Sequence, residues 1–156
     1  MIIQIKKEDL EISKKYQCLC LSRGGSFRNG CPNYGKKEGC PPRRLFSEDY
    51  DLDKPIYLIS SDFDIFNHSE KIREKHPGWT EKAIYNPRYW QATARKIHRL
   101  DIGKFLSAYP NYAVERSPEG AGVNVDALCK SVGIILEWPP RKLTRLISLG
   151  AIRISQ

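Results

Sequence analysis

Apolar and polar positions alternate at the start of the chain, Met1-Ile-Ile-Gln-Ile, which predicts a short strand ahead of the polar residues 6–11. The clearest strand of the first half is Pro55-Ile-Tyr-Leu-Ile-Ser-Ser, an apolar run bounded by a proline and by polar residues. Asp62-Phe-Asp-Ile-Phe extends it, with Phe63 and Ile65 on one face. Residues 45–55, ahead of this strand, are acidic and turn-like, and residues 69–80, after it, show a charged, broken pattern that suits a short helix and a loop. The longest predicted helix begins at Asn86-Pro87, with Asn as N-cap and Pro in the first helical position, and runs to about Leu100. Gly103 breaks the pattern before residues 105–109. Trp90, Thr93, Ala94, Ile97 and Leu100 follow the helical period and are expected to face the core, while Arg88, Gln91, Arg95 and Arg99 line another face.

Further along, Tyr112-Ala-Val-Glu-Arg reads as a strand leading into the turn Ser117-Pro-Glu-Gly-Ala-Gly. Asn124 caps a predicted helix over residues 125–132, with Gly133 at its left-handed exit. Ile134-Ile-Leu-Glu-Trp reads as another strand, stopped by Pro139-Pro140. A basic helix over residues 141–147 and a closing strand at Ala151-Ile-Arg-Ile complete the chain. Strands and helices in this order predict one α/β or α+β domain over residues 1–156, with a small mixed sheet and flanking helices.

One stretch escapes this patterning. Residues 18–42 have no sustained apolar period, yet hold four of the five cysteines (Cys18, Cys20, Cys31, Cys40) and five glycines. Such a segment has no hydrophobic face to bury, so an ordered form needs another source of cohesion, and thiolates closing around a metal supply one. The N-terminus lacks the apolar core of a secretory signal, and no apolar run is long enough to span a membrane. Both points predict a cytoplasmic protein without a membrane partner, where thiols stay reduced and disulfides are disfavoured. An odd number of cysteines points the same way.

The spacing bears on the metal. Cys18-x-Cys20, then Cys31-x8-Cys40, matches neither zinc-finger nor zinc-ribbon patterns, and His68, His76 and His98 all lie outside the segment. Iron-sulfur clusters tolerate wider spacing. Cys31 and Cys40 are each followed by proline, as is the last cysteine of a bacterial ferredoxin run. Arg23, Arg28, Lys36 and Lys37 offset thiolate charge, and the glycines let backbone amides approach sulfur. The reading is therefore an iron-sulfur cluster, 4Fe-4S among the forms considered, on Cys18, Cys20, Cys31 and Cys40, with zinc as the alternative. Cys129 reads as a small buried residue on the helix after Asn124, and otherwise as a distant ligand.

The motif Cys31-Pro-Asn-Tyr-Gly-Lys-Lys-Glu-Gly-Cys-Pro-Pro resembles an uncharacterised family of cysteine-rich, predicted metal-binding proteins, whose signature is Cys-Pro-x-Tyr-Gly followed by Cys-Pro-Pro. Glu115-Arg-Ser-Pro-Glu-Gly-Ala-Gly-Val-Asn-Val is similar to that family's Arg-Pro-Ser-Met-Glu-x-x-Gly-Ile-Asp-Val segment with one residue absent. The two motifs fall in the family's order. Members place a cysteine only a few residues before the first motif, whereas here Cys18 and Cys20 are set off by a Gly/Arg/Ser-rich insertion. They also carry a second cysteine cluster before the second motif, and residues 105–114 have none. The resemblance implies metal binding by Cys31 and Cys40, with Cys18 or Cys20 as a third ligand, and implies no particular reaction.

Charge adds a second function class. The net charge of +8 is uneven, with ten Lys/Arg against four acids in residues 1–45, five against nine in 46–85, and eleven against five in 86–156. The face bearing Arg88, Arg95 and Arg99, with Lys36, Lys37, Arg43 and Arg44 and with Phe27 and Tyr34 for stacking, predicts a nucleic-acid partner, RNA in the first place. The ordinary alternative is a solvated helix face. The turn at residues 117–122 offers amides to a phosphate or is a plain tight turn, since it lacks the Gly-Lys-Ser/Thr ending of a P-loop. Glu119 within it is either a carboxylate working near the metal or an ordinary capping or salt-bridging group. Nothing in the sequence places it beside the cysteines.

Overall fold

Four strands form one sheet: β1 (Ile2–Ile5), β2 (Ile56–Asp64), β3 (Ala113–Glu115) and β4 (Leu143–Ala151). Their spatial order is β1-β2-β4-β3, and every pairing is antiparallel. The expected mixed sheet is therefore an antiparallel one, and the fold is α+β. The structure, a computed structural model, describes residues 1–21, 31, 34–36 and 39–154. Six α-helices are described: α1 (Lys14–Gln17), α2 (Phe46–Asp49), α3 (Ile65–Lys75), α4 (Glu81–Ile84), α5 (Pro87–Ala108) and α6 (Val125–Ser131).

The period of two along β2 sends side chains to both faces, and both faces are covered. Ile56 and Leu58 join Leu149, Ala151, Phe46, Val123, Leu128 and Cys129 in the larger core, on the side of α2, α6 and the 117–124 turn. Tyr57 and Ile59 face the other way, against Ile102 and Phe105 of α5. At the far end of that same face Phe63 packs on Trp90 and Ala94. Gly150 belongs to this contact by necessity, since a Cβ there would stand 2.4 Å from the Phe105 ring.

The register corrects the predicted C-terminal third. Residues 141–147 are not a helix: β4 starts at Leu143 and pairs with β2 over eight positions, Tyr57 with Gly150 through Asp64 with Leu143. The basic residues that suggested a helix face instead serve the ladder. Arg145 lies opposite Asp62 and reaches its carboxylate at 3.2 Å. The predicted strand at 134–138 is irregular; Ile134 is buried in the core while Ile135 and Trp138 are exposed. The strand expected at 151–154 is the end of β4 plus a single bridge between Tyr50 and Arg153.

Helix α5 starts where Asn86 predicts, its side chain accepting from the Arg88 N–H at 3.0 Å. It continues through Gly103 to Ala108. A mid-helix glycine costs about 1 kcal/mol against alanine, and Ile102 and Phe105 on either side of it bury fully enough to offset that. The buried stripe is Trp90, Ala94, His98, Ile102 and Phe105. It is rotated from the predicted one: Thr93, Ile97 and Leu100 lie on the solvent side. The residue that shifts the phase is His98. Its Nε2 lies 2.7 Å from Ser148 Oγ and its Nδ1 2.7 Å from Ser61 Oγ, which in turn donates to Asp101 Oδ2 at 2.7 Å. With the Ser61 proton committed to Asp101, Nδ1 must be the donor to Ser61, and neutral Nε2 accepts from Ser148. A polar side chain fully partnered in this way can occupy a core position.

Candidate metal centre

The turn after β3 holds the cysteine segment in place. Ser13 donates its N–H to Gly122 O at 2.8 Å, Asn124 to Glu11 O at 2.8 Å, and Phe46 to Ala121 O at 2.8 Å. Buried Gln17 sends one amide group to two carbonyls, Arg43 O at 2.8 Å and Gly120 O at 3.0 Å. Those bonds join the residue just before Cys18 to the residue just after Pro42. Arg43 then forms a two-bonded ion pair with buried Glu115, at 3.1 and 2.6 Å, and Glu115 also accepts the Ser117 N–H at 2.9 Å. This charged pair, with Glu115 also bonded to the Ser117 N–H, holds the turn and the end of the segment in one register.

Glycine lets these two chains touch. A Cβ on Gly120 would lie 2.3 Å from Gly39 O, and one on Gly39 would meet Ser117 Cβ at 3.7 Å. Gly39 and Gly35 both have positive φ, at +82° and +67°, so the approach to Cys40 follows a path that favours glycine. Gly35 closes its own turn by donating to Pro41 O at 2.8 Å.

Within this frame Cys20, Cys31 and Cys40 are neighbours that do not close to ligand distance. Cys31 donates its N–H to Cys20 O at 2.7 Å. Burial raises the Cys20 thiol above the ordinary cysteine range, and the neighbouring Cys31, Cys40 and Glu119 charges raise it further. No described cation offsets that repulsion. Cys18 sits apart. It shares a short 3-10 turn with Cys20, Cys18–Leu21, where residues two apart point about 240° from each other, and it is exposed. Cys129 is fully buried in α6, its thiol pushed up to about 11 by desolvation first and Glu119 and Asp126 next. It is a core residue, as its position predicts.

Cys31 is thus tied to Cys20 through the backbone with Cys40 in the same neighbourhood, and Cys18 is the exposed outlier of the four. Among the described residues, no three His, Cys, Asp or Glu side chains stand close enough to hold an ion as placed. In kind the donors suit a thiophilic metal, which binds cysteine as thiolate with release of its proton. Glu119 is the residue that sequence reading left unplaced. Only the antiparallel β3–β4 pairing and the Gly39–Gly120 contact carry its turn to the cysteines, and neither is visible as a motif.

The basic residues are not gathered into one surface. Arg88, Arg95 and Arg99 are exposed on one side of α5, and α5 packs on the sheet face opposite the cysteine segment. Lys36 is exposed beside the cysteines, and Lys37 and Phe27 lie outside the described residues. Arg43 is committed to Glu115, and Arg44 pairs with Asp49 at 3.1 Å and donates to Glu48 O at 2.6 Å. Among the described residues no helix is long and apolar enough to cross a membrane. Comparisons of the chain with family models, with curated proteins and with solved structures return no significant match, so the resemblance drawn from its two motifs rests on those residues alone.

Proposed function

We propose that this protein is a metal-binding protein whose centre is held by Cys20, Cys31 and Cys40, with an iron-sulfur cluster as the favoured group and zinc as the alternative. The observation that carries the reading is the Cys31 N–H bond to Cys20 O, which joins two of the cysteine backbones in the same frame that the Gly39–Gly120 contact ties to Cys40. When bound, an iron-sulfur group supplies electron transfer or, where one iron lacks a protein thiolate, a site for substrate or sulfur. The chain's own contribution is positioning. Gln17 closes the base of the segment, the Gly39–Gly120 contact sets the height of Cys40, and Arg43–Glu115 keeps that contact in register.

Purification without oxygen, followed by iron, sulfide and zinc analysis and visible absorption, tests the reading. Stoichiometric metal is expected, lost in Cys31→Ser and in Cys40→Ser. A folded, colourless protein that takes up neither iron and sulfide nor zinc would overturn it.

A second reading is favoured by α5, whose Arg88, Arg95 and Arg99 share an exposed side and make no ion pair among the described residues. We propose RNA binding there, independent of the metal. Affinity for single-stranded RNA is expected to fall steeply with salt, and the paired change Arg95→Ala/Arg99→Ala is expected to lower the log–log salt slope by about two. Negligible binding at low salt removes this reading.

A further inference from the structure

We propose that His76, Trp79 and Tyr89 form a base-stacking platform at the start of α5, so that the partner of this surface is single-stranded RNA held through its bases as well as its phosphates. This rests on the RNA-binding reading of α5 above and adds to it a place for the bases. His76 and Trp79 lie in the connection between α3 and α4, where their rings stack with centroids 4.1 Å apart and planes 12° from parallel. Trp79 meets the Tyr89 ring of α5 at 5.1 Å. Backbone bonds set the group in place. The Trp79 N–H donates to His76 O at 3.0 Å, Thr80 caps α4 by accepting the Ala83 N–H at 3.3 Å, and His68 Nε2 lies 3.1 Å from Tyr89 O. His76 and Tyr89 are exposed and Trp79 is half-buried. Neither Trp79 nor Tyr89 belongs to any of the apolar cores, which at this end of the sheet are served by Phe63, Ile65, Trp90 and Ala94. Three rings are therefore ordered at the surface before any partner arrives, and a partner that stacks on them loses little side-chain freedom of theirs.

The charge around the rings suits a polyanion. Residues 71–89 carry five Lys/Arg against two acids, and one of those acids, Glu81, is shared between Arg73 and Arg141. Arg88 directly precedes Tyr89 and opens the exposed Arg88, Arg95 and Arg99 stripe, which runs about 16 Å along the helix. Lys96 is exposed two turns beyond Tyr89 on the same side of α5. Rings and cations thus share one outward surface, the combination by which proteins hold single strands: cations follow the phosphates while aromatic faces take bases of any sequence. A duplex keeps its base faces stacked within itself and leaves such rings unused. An acidic protein surface would engage the cations but has no planar groups to match the stack.

Fluorescence titration of the full chain tests the platform, with Trp138→Phe introduced to remove the other exposed indole, which keeps 75% of its surface. The probes are a single-stranded RNA and an abasic sugar–phosphate chain of the same length. The RNA is expected to quench Trp79 emission and to bind about tenfold or more tighter than the abasic chain. Trp79→Ala is expected to weaken RNA binding about tenfold at every salt concentration with the log–log salt slope unchanged, because no phosphate contact is lost. Its affinity for the abasic chain should stay that of the parent. Equal binding of the two probes, or a Trp79→Ala variant that binds RNA as the parent does while Arg95→Ala/Arg99→Ala still lowers the slope, overturns the platform and leaves the α5 reading standing. Negligible binding of both probes at low salt removes the two together. Should Trp79→Ala fail to fold, as judged by circular dichroism, the quenching and the ratio of the two affinities in the parent decide alone.

Discussion

The two faces of the sheet are built on different principles. On one, a single 22-residue helix lies along β2 and β4, and its cohesion comes from a regular stripe of side chains interrupted by one fully partnered histidine. On the other, three short helices and a turn surround the core, and residues 11–17, 43–46 and 117–124 are joined by backbone and amide hydrogen bonds. The first face is held by packing against one helix, and the second adds a set of backbone and amide bonds to the larger apolar core. Those added bonds let the second face carry cysteines, glycines and charge at its margin. That is where the candidate centre sits.

Substitutions that strike one face and spare the other test this division. The largest effect is expected from Glu115→Ala, which leaves Arg43 without its partner at the base of the cysteine segment. Breaking a buried ion pair costs about 3–5 kcal/mol, and the lower end applies because the Arg43 side chain keeps 24% of its surface. Urea unfolding should show the loss together with a fall in metal affinity. Gly150→Ala strikes the other face, driving a methyl group against the Phe105 ring. It should cost about 1–3 kcal/mol while leaving metal affinity intact. Equal effects of both variants on metal binding would show that the faces are not separable.

The histidine gives a finer test through pH. Burial lowers the His98 pKa from its ordinary 6.5, ahead of the opposing pull of Asp101, while Arg116 and the N-terminal amine lower it further. The folded state therefore binds this proton less readily than the unfolded state. The stability is complete above about pH 6.5 and declines as the pH falls toward the folded value. Unfolding free energy measured at descending pH should show that loss, and His98→Gln should remove the part of the slope below pH 6.5. An unchanged slope in the variant would assign the acid sensitivity to other groups. The smallest effect belongs to Leu100→Lys. Leu100 keeps 60% of its surface, so the change should stay within about 0.5 kcal/mol by thermal melting. A larger loss would restore Leu100 to the core stripe first expected of it.

The division also explains what could be read in advance. Local chemistry was legible: the Asn86-Pro87 start of α5, the Asn124 cap and Gly133 exit of α6, and the apolar run of β2 each depend on a few neighbouring residues. The phase of α5 was not, because a histidine counts as polar until Ser61 and Ser148 arrive from two strands to satisfy it. β4 was misread for a related reason, as Arg145 looks like a helix-face residue until Asp62 lies opposite. At the candidate centre the thiols were legible by composition alone. The separation of Cys18 from Cys20, and the arrival of Glu119, depend on a 3-10 turn and on a contact between two distant glycines.

The amide of Gln17 carries a consequence for how such a segment changes in length. It fastens both ends of residues 18–42, and the Cys31 N–H bond to Cys20 O closes a smaller ring within the larger one. Once a ring is pinned at its mouth, added residues cost only the slow logarithmic growth of chain entropy, about 0.6 kcal/mol for each doubling. Ten residues separate Cys20 from Cys31, and that number is nearly free to drift. Spacing between the cysteines is thus a poor record of their function in this chain, and the better record lies in the glutamine and the two glycines at the mouth.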